Sequence, residues 1–288
     1  MPIRKVGVVG CGLMGSGIAQ VSAQAGFPTV VREISPQILE KGMGAIRKFL
    51  QGGVEKGKLA AADMEKTLAR LTGTVRLEDL ADCDLVVEAA AENLSLKKEL
   101  FAELDKGCKP EALLASNTSS LSITELSTAT KRPDRFLGLH FFNPVPLMKL
   151  VEVVRALQTS DATYQAAMAW CHAVARTPVT TRDTTGFVVN RLLVPYMLDA
   201  VRAFEQGLAS RDDIDTAMKL GCGHPMGPLF LTDYVGLDTT CAIAQVMFDE
   251  FKEPRFAAPP LLRRMVLAGM HGRKTGRGFY DWSTSPPS

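Results

Sequence analysis

Apolar residues fall along this chain in two textures. Up to about residue 182, short β-branched runs alternate with amphipathic stretches; beyond that point the pattern is helical throughout. Runs at 3–9 (IRKVGVV), 29–33 (TVVRE), 74–77 (TVRL), 83–89 (CDLVVEA), 112–116 (ALLAS), 135–140 (RFLGLH), 149–154 (KLVEVV) and 178–182 (PVTTR) have the length and residue choice of strands. Helical periodicity follows the first run and returns at 93–104, 122–129 and 161–175. From Ser35 to about Leu71 no strand signal occurs, and two helix-like stretches flank the glycines around 52–57, which predicts a helical hairpin inserted at 35–71. Such alternation predicts an α/β domain with a mainly parallel, doubly wound sheet. Segments at 187–206, 211–220, 228–251 and 259–271 predict an all-helical second domain, so the domains are expected at 1–183 and 184–288. The tail STSPPS is expected to fray.

A length of 288 residues suits two domains. With a net charge of +2 and 22% charged residues, a general attraction to nucleic acid or an anionic membrane is not expected, and small ligands are the expected partners. The six cysteines form no C-x-x-C pair, which argues against a zinc site or a disulfide framework and for a reducing compartment. No signal peptide and no apolar run of about 18 residues is seen, so the expected location is the cytoplasm, or the chain is a mature form already trimmed.

GCGLMG places Gly10, Gly12 and Gly15 in G-x-G-x-x-G spacing, directly after the first strand and opening a helix; Glu33 ends the second strand 23 positions after Gly10. The first glycine permits the tight turn, the second lets backbone approach a pyrophosphate, and the third lets helix and strand pack closely. The helix N-terminus, at Leu13 and Met14, then offers unpaired N–H groups to the phosphates. Glu33 suits a ribose 2′-hydroxyl and repels a 2′-phosphate, favouring NAD, whereas the preceding Arg32 leaves NADP open. A glycine turn without a ligand is the plainer alternative.

One of four histidines, His140, ends the strand RFLGLH, and Glu152 stands alone in the apolar strand KLVEVV. A lone buried carboxylate calls for a partner. Two strands joined by a turn holding Asn143, Pro144 and Pro146 bring imidazole and carboxylate within reach, giving a base that works near neutral pH. Spacing alone equally allows Glu152 on a solvated face and His140 merely closing the sheet. His172 lies in a helical run, and His224 and His271 lie in Gly-rich loops.

VGVVGCGLMGSGIAQ, VVEAAAENLSLKKELF, LASNTSSLSITEL, RFLGLHFFNPVPLMKLVEVV, DTTGFVVNRLL, GHPMGPLFLTDYVGLDT and GRKTGRGFYDW, spread from residue 3 to about 282, together resemble the 3-hydroxyacyl-CoA dehydrogenase family in its short, single-function form. The resemblance implies a Rossmann-like domain with its hairpin, a helical C-terminal domain for substrate and dimerisation, and reversible NAD-dependent oxidation of an (S)-3-hydroxyacyl-CoA. The implied substrate is 3-hydroxybutyryl-CoA, within fatty-acid and butanoate metabolism. It implies His140 as general base, Glu152 as its partner, and Ser119 and Asn190 as holders of the substrate oxygen. Unaided, the serine run reads as helix capping, with Ser122 and Glu125 as a capping box and Ser119 before it, and Asn190 reads as a helix-start residue.

Around the cofactor the resemblance implies Glu92, Lys97, Asn117, Ser119, Asn143 and Lys274; by themselves Lys97 reads as a solvated helix face and Lys274 as a loop charge. The hairpin would hold the CoA nucleotide, in keeping with seven basic against four acidic residues between 35 and 70, with Lys56 and Lys58 as candidates. No metal is implied. A homodimer through C-terminal helices such as DTTCAIAQVMF is implied. Two other readings stay open: a dehydrogenase of a free hydroxy or sugar acid on the same fold, and a non-enzymatic NAD-binding structural dimer.

Overall fold

The computed structural model describes residues 2–284 and 287. The tail STSPPS, expected to fray, falls in part on Ser285, Pro286 and Ser288, which lie outside the described residues. Two compact units divide between Thr184 and Thr185.

The first unit contains an eight-stranded sheet built from β1 (Val6–Val9), β2 (Thr29–Arg32), β3 (Leu71–Thr74), β4 (Leu85–Glu88), β5 (Leu113–Ser116), β6 (Phe136–Phe141), β7 (Leu150–Arg155) and β8 (Thr177–Arg182). The order is β3-β2-β1-β4-β5-β6-β7-β8. Every neighbouring pair is parallel except β6 and β7. Strands β1, β4, β5 and β6 are buried along their whole length, which is why they read as continuous apolar runs rather than alternating ones.

Helices α1 (Leu13–Gln24), α4 (Leu94–Gly107), α5 (Ile123–Ser127) and α6 (Asp161–Ala173) connect the strands. The hairpin is α2 (Pro36–Glu55) and α3 (Ala61–Ala69). Its start is set by Ser35, whose hydroxyl accepts from the Ile38 N–H, and by Pro36 in the first turn. Asn93 caps α4 and Ser160 caps α6 in the same way. Ile18, Val31, Leu85, Leu139, Val151 and Trp170 belong to one apolar core, with Trp170 of α6 edge-on to Phe141 of β6.

The second unit is helical: α7 (Val189–Glu205), α8 (Arg211–Cys222), α9 (Pro228–Val235), α10 (Leu237–Phe251) and α11 (Pro260–Leu267) around a core including Met197, Leu198, Leu229, Met247 and Phe256. Among the described residues no helix is long and apolar enough to cross a membrane.

Two expected elements are corrected. The strand expected at 74–77 lies at Leu71–Thr74, pairing with β2 from Thr29↔Leu71, while Leu77–Leu80 is a short 3₁₀ turn. Leu80 is fully buried because it sits against Gly7 of the sheet, so its apolar character belongs to packing beneath β1 and not to a strand. The helix expected over 228–251 is two helices, α9 and α10, broken at Gly236, whose φ of +105 no helix accommodates.

Candidate active site

The parallel strands bring their carboxyl ends to one edge of the sheet. Gly10 follows β1 there, Glu33 follows β2, Glu88 ends β4, Asn117 follows β5, and His140 is the next-to-last residue of β6. Ligands of open α/β sheets bind at this edge.

The glycine turn is shaped by contact. A Cβ at Gly15 would lie 1.9 Å from the Gly10 carbonyl oxygen, so only glycine fits where helix meets turn, while nothing lies within 4 Å of the Cβ position of Gly12. Gly12 is the N-cap of α1; it supplies no side-chain cap, and no acidic residue occupies the first turn. The Leu13 side chain is exposed and Met14 packs on the core. An uncapped helix start beside an open glycine has the features an anionic diphosphate needs. Glu33 accepts hydrogen bonds from the N–H of Cys11 (2.8 Å) and of Ile34 (2.6 Å), which fixes its carboxylate against the turn. Burial and the Glu33 charge push the Cys11 thiol up to about 11, so it stays a neutral packing group. Arg32 pairs in register with Val9, and its Nε is enclosed without a hydrogen-bond partner; Glu33, not Arg32, meets the glycine turn.

His140 and Glu152 face each other directly in the antiparallel register of β6 and β7. His140 Nδ1 lies 2.6 Å from Glu152 Oε2, with the histidine 7% exposed and the glutamate 0%. A directly opposed cross-strand pair puts side chains in contact without strain. Because an ionised carboxylate only accepts, Nδ1 carries the proton, and the neutral ring's basic lone pair resides on Nε2. The Phe142 ring stands 4.5 Å from the imidazole, centroid to centroid. Asn143, exposed in the following turn, precedes Pro144 through a cis peptide.

A second buried cluster stands at the ends of β4 and β5. Glu88 is fully buried; it accepts from Lys97 Nζ (2.5 Å), the Ala90 N–H (2.7 Å) and the Ser116 hydroxyl (2.6 Å). Lys97, read by itself as a solvated charge, is 1% exposed and also lies 3.4 Å from Glu92. Glu92 in turn accepts from the Thr118 hydroxyl, the Ser119 N–H (3.1 Å) and the Ser120 hydroxyl (3.2 Å). Burial pushes the Glu92 carboxyl up, but the Lys97 charge and these hydrogen bonds outweigh it and hold it below the ordinary value. Asn117 accepts from the Phe141 N–H (2.9 Å), joining the end of β5 to the end of β6.

Glu88 escaped the sequence reading, although a carboxylate closing an apolar strand is the same signal that singled out Glu152. Asp183 escaped it too. It accepts from the Ser122 hydroxyl and the N–H groups of Ile123 and Thr124, so the serine loop and α5 are anchored from the end of β8. The expected capping box keeps one half: the Ser122 hydroxyl accepts from the Glu125 N–H (3.1 Å), while the Glu125 carboxylate lies 3.1 Å from Lys98.

Within the second unit, Asn190 is the second residue of α7 and is partly buried. The chain enters α7 through left-handed Gly186 and Phe187, and Arg191 stacks 3.6 Å from the Phe251 ring centroid. Lys274, read unaided as a loop charge, pairs with Asp238. Lys56 and Lys58 are exposed at the end of α2. His172 is exposed on α6, His224 Nδ1 lies 3.0 Å from the Tyr196 hydroxyl, and His271 is 3.9 Å from Asp238. Among the described residues no His, Cys, Asp and Glu side chains group as a metal site.

A glycine turn fit for a diphosphate, sharing its sheet edge with a histidine held by a buried carboxylate, places the chain among the dinucleotide-dependent oxidoreductases. Sequence profiles narrow the class: that of the 3-hydroxyacyl-CoA dehydrogenase NAD-binding domain matches residues 5–184, and that of the same family's C-terminal domain matches residues 186–282. The chain belongs to the 3-hydroxyacyl-CoA dehydrogenase family, and its cofactor is NAD. It is 50% identical over 282 residues to the 3-hydroxybutyryl-CoA dehydrogenase of Mycobacterium tuberculosis, covering 97% of this chain and 99% of that one. It is 49% identical over 278 residues to a probable 3-hydroxybutyryl-CoA dehydrogenase of Deinococcus radiodurans, covering 96% and 100%. The crystal structure of (S)-3-hydroxybutyryl-CoA dehydrogenase from Ralstonia eutropha superposes with a TM-score of 0.95 at 46% identity, covering 98% of this chain and 100% of that one.

Proposed function

We propose that this enzyme reversibly oxidises (S)-3-hydroxybutyryl-CoA to the 3-keto thioester. The observation that carries the proposal is the His140–Glu152 pair, 2.6 Å apart and buried, at the same sheet edge as the NAD turn. His140 takes the C3 hydroxyl proton on Nε2, and Glu152 holds the ring orientation and stabilises the imidazolium that forms. The Gly10–Gly15 turn would hold NAD, which would supply the acceptor for the C3 hydride. In the reverse direction the imidazolium returns the proton to the ketone oxygen. Ser119 and Asn190 hold the substrate oxygen. Glu33 receives the adenine-side ribose; Glu92, Asn117, Asn143 and Lys274 serve the nicotinamide side, with Lys97 acting by holding Glu92. Lys56 and Lys58 of the hairpin meet the CoA phosphates. The enzyme works in the cytoplasm as a homodimer joined through its C-terminal helices.

The test is NADH oxidation by the wild-type chain with acetoacetyl-CoA, compared with free acetoacetate and with NADPH as reductant. Turnover that requires both the thioester and NADH is expected. Equal turnover of free acetoacetate would move the substrate class to free acids, and no turnover of either would remove the proposed activity.

A further inference from the structure

The turn from Asn143 to Met148 joins the strand of His140 to the strand of Glu152. Most of it is exposed, yet Val145 at its middle is 1% exposed. On one side Val145 is seated on α1 so closely that a Cβ at Gly17 would come within 2.6 Å of the valine Cβ. On the other side lies Arg176, 8% exposed, whose Nη2 donates to the carbonyls of Val145 (3.0 Å) and Pro146 (3.4 Å). Its Nη1 donates to Val174 (3.3 Å) and Ala175 (3.0 Å).

Among the described residues Arg176 has no carboxylate partner in an ion pair, and its Nε is buried without a hydrogen bond. Burial alone pulls its ionisation below the ordinary arginine value. A largely buried cation without a carboxylate partner depends on its carbonyl contacts to offset the loss of hydration. Completing the end of α6 explains only half of them. The Val174 and Ala175 carbonyls belong to that helix end, where an exposed cation would serve the dipole equally well. The contacts to Val145 and Pro146 span 31 and 30 residues and have no part in a helix cap. Ala175, immediately before, adopts a left-handed φ of +56, unfavourable for a residue with a Cβ, and this turns the chain so that Arg176 enters the interior.

A cavity of about 260 Å³ beside it is lined by Gln24, Pro146, Ala173 and Arg176. The carboxyl ends of α1 and α6 reach this cavity and would repel an anion, so Arg176 is not the floor of an anion site.

We propose that Arg176 is a positioning residue for the reaction, clamping Val145 and Pro146 so that the turn between β6 and β7 holds Asn143 and the His140–Glu152 pair in their working alignment. The proposal rests on the reading of His140 as general base. Misalignment by about 1 Å costs up to about 10²-fold in rate.

The experiment compares wild type, Arg176→Met and Arg176→Lys as full chains, measuring kcat and KM for acetoacetyl-CoA, NADH affinity by titration, and amide hydrogen exchange over 142–148 and over β4. Arg176→Met is expected to lose about 10-fold or more in kcat with smaller changes in KM and NADH affinity. Exchange should quicken in the turn and stay unchanged in β4, and Arg176→Lys, which keeps a cation but not the two-sided fork, should restore only part of the rate. Should Arg176→Met not fold, Arg176→Gln takes its place under the same criteria. Unchanged kcat, or exchange unchanged in the turn, overturns the clamp. Exchange does not need turnover, so a wild-type chain inactive on the thioester would remove the proposed activity while the clamp is still judged by exchange.

Discussion

Both units bury carboxylates, and the partners they choose are different in kind. In the first unit, Glu152 meets the imidazole of His140 and Glu88 meets the ammonium of Lys97, groups that carry or exchange protons. In the second unit, Asp215 accepts from the N–H groups of Leu229 and Phe230 and from the Tyr280 hydroxyl, each at 2.8 Å. Asp233 accepts from the N–H groups of Phe279 and Tyr280 and from the Trp282 indole, also each at 2.8 Å. Asp215 of α8 ties the start of α9 to Tyr280, and Asp233, near the end of α9, ties that helix to the C-terminal GFYDW segment. Burial raises the Asp233 carboxyl above its ordinary value although three hydrogen bonds oppose it. A buried acid answered by backbone donors holds a fold together, and one answered by a histidine at the carboxyl edge of a parallel sheet is equipped to move a proton.

The comparison predicts a separation between loss of rate and loss of stability. The largest effect is expected for His140→Ala: kcat should fall by about 10²- to 10⁴-fold while calorimetric titration finds NAD affinity retained. Glu152→Gln should lower kcat by about 10²-fold, because an amide no longer dictates which ring nitrogen carries the proton. Steady-state kinetics checks both, and a rate close to wild type would count against either role. Asp233→Asn should do the opposite, lowering the unfolding free energy by about 2 kcal/mol in urea melts while the folded enzyme keeps its kcat.

The smallest effect is one of sign. Glu92 lies below its ordinary value of 4.5 in the folded chain, so its contribution is complete above that pH and is lost as pH falls through the folded-state value. Asp233 lies above its ordinary 3.8, so its contribution grows as pH falls from the folded-state value towards 3.8. Relative to wild type, Glu92→Gln should therefore become less harmful in acid and Asp233→Asn more so. Urea melts at successive acidic pH values read the two slopes, and slopes of the same sign would contradict the assignment.

Local pattern carried much of this into the sequence. The glycine spacing, the apolar strands and the His140 strand end follow from short continuous apolar runs, from the helical period of 3.6 between them and from short-range sterics. What pattern did not convey depends on distant partners: Glu88 meets Ser116 across 28 positions and Asp183 meets Ser122 across 61. Lys97 is a different case, because its burial was legible. It shares with Leu100, Phe101 and Leu104 the spacing of a single helix face, and its charge alone suggested solvent. The displaced third strand reflects a local ambiguity, since Val75 and Leu77 alternate like a strand while Leu80 is drawn under β1. The register that joins His140 to Glu152 was open in the sequence, where a turn of one residue more or less would have sent the glutamate to the other face.

A double-mutant cycle tests the central claim most directly, with kcat measured for wild type, His140→Ala, Glu152→Gln and the pair together. If Glu152 acts only through the imidazole, adding Glu152→Gln to His140→Ala should lower kcat no further. Two losses that multiply in the double variant would show the residues working independently and would contradict the account.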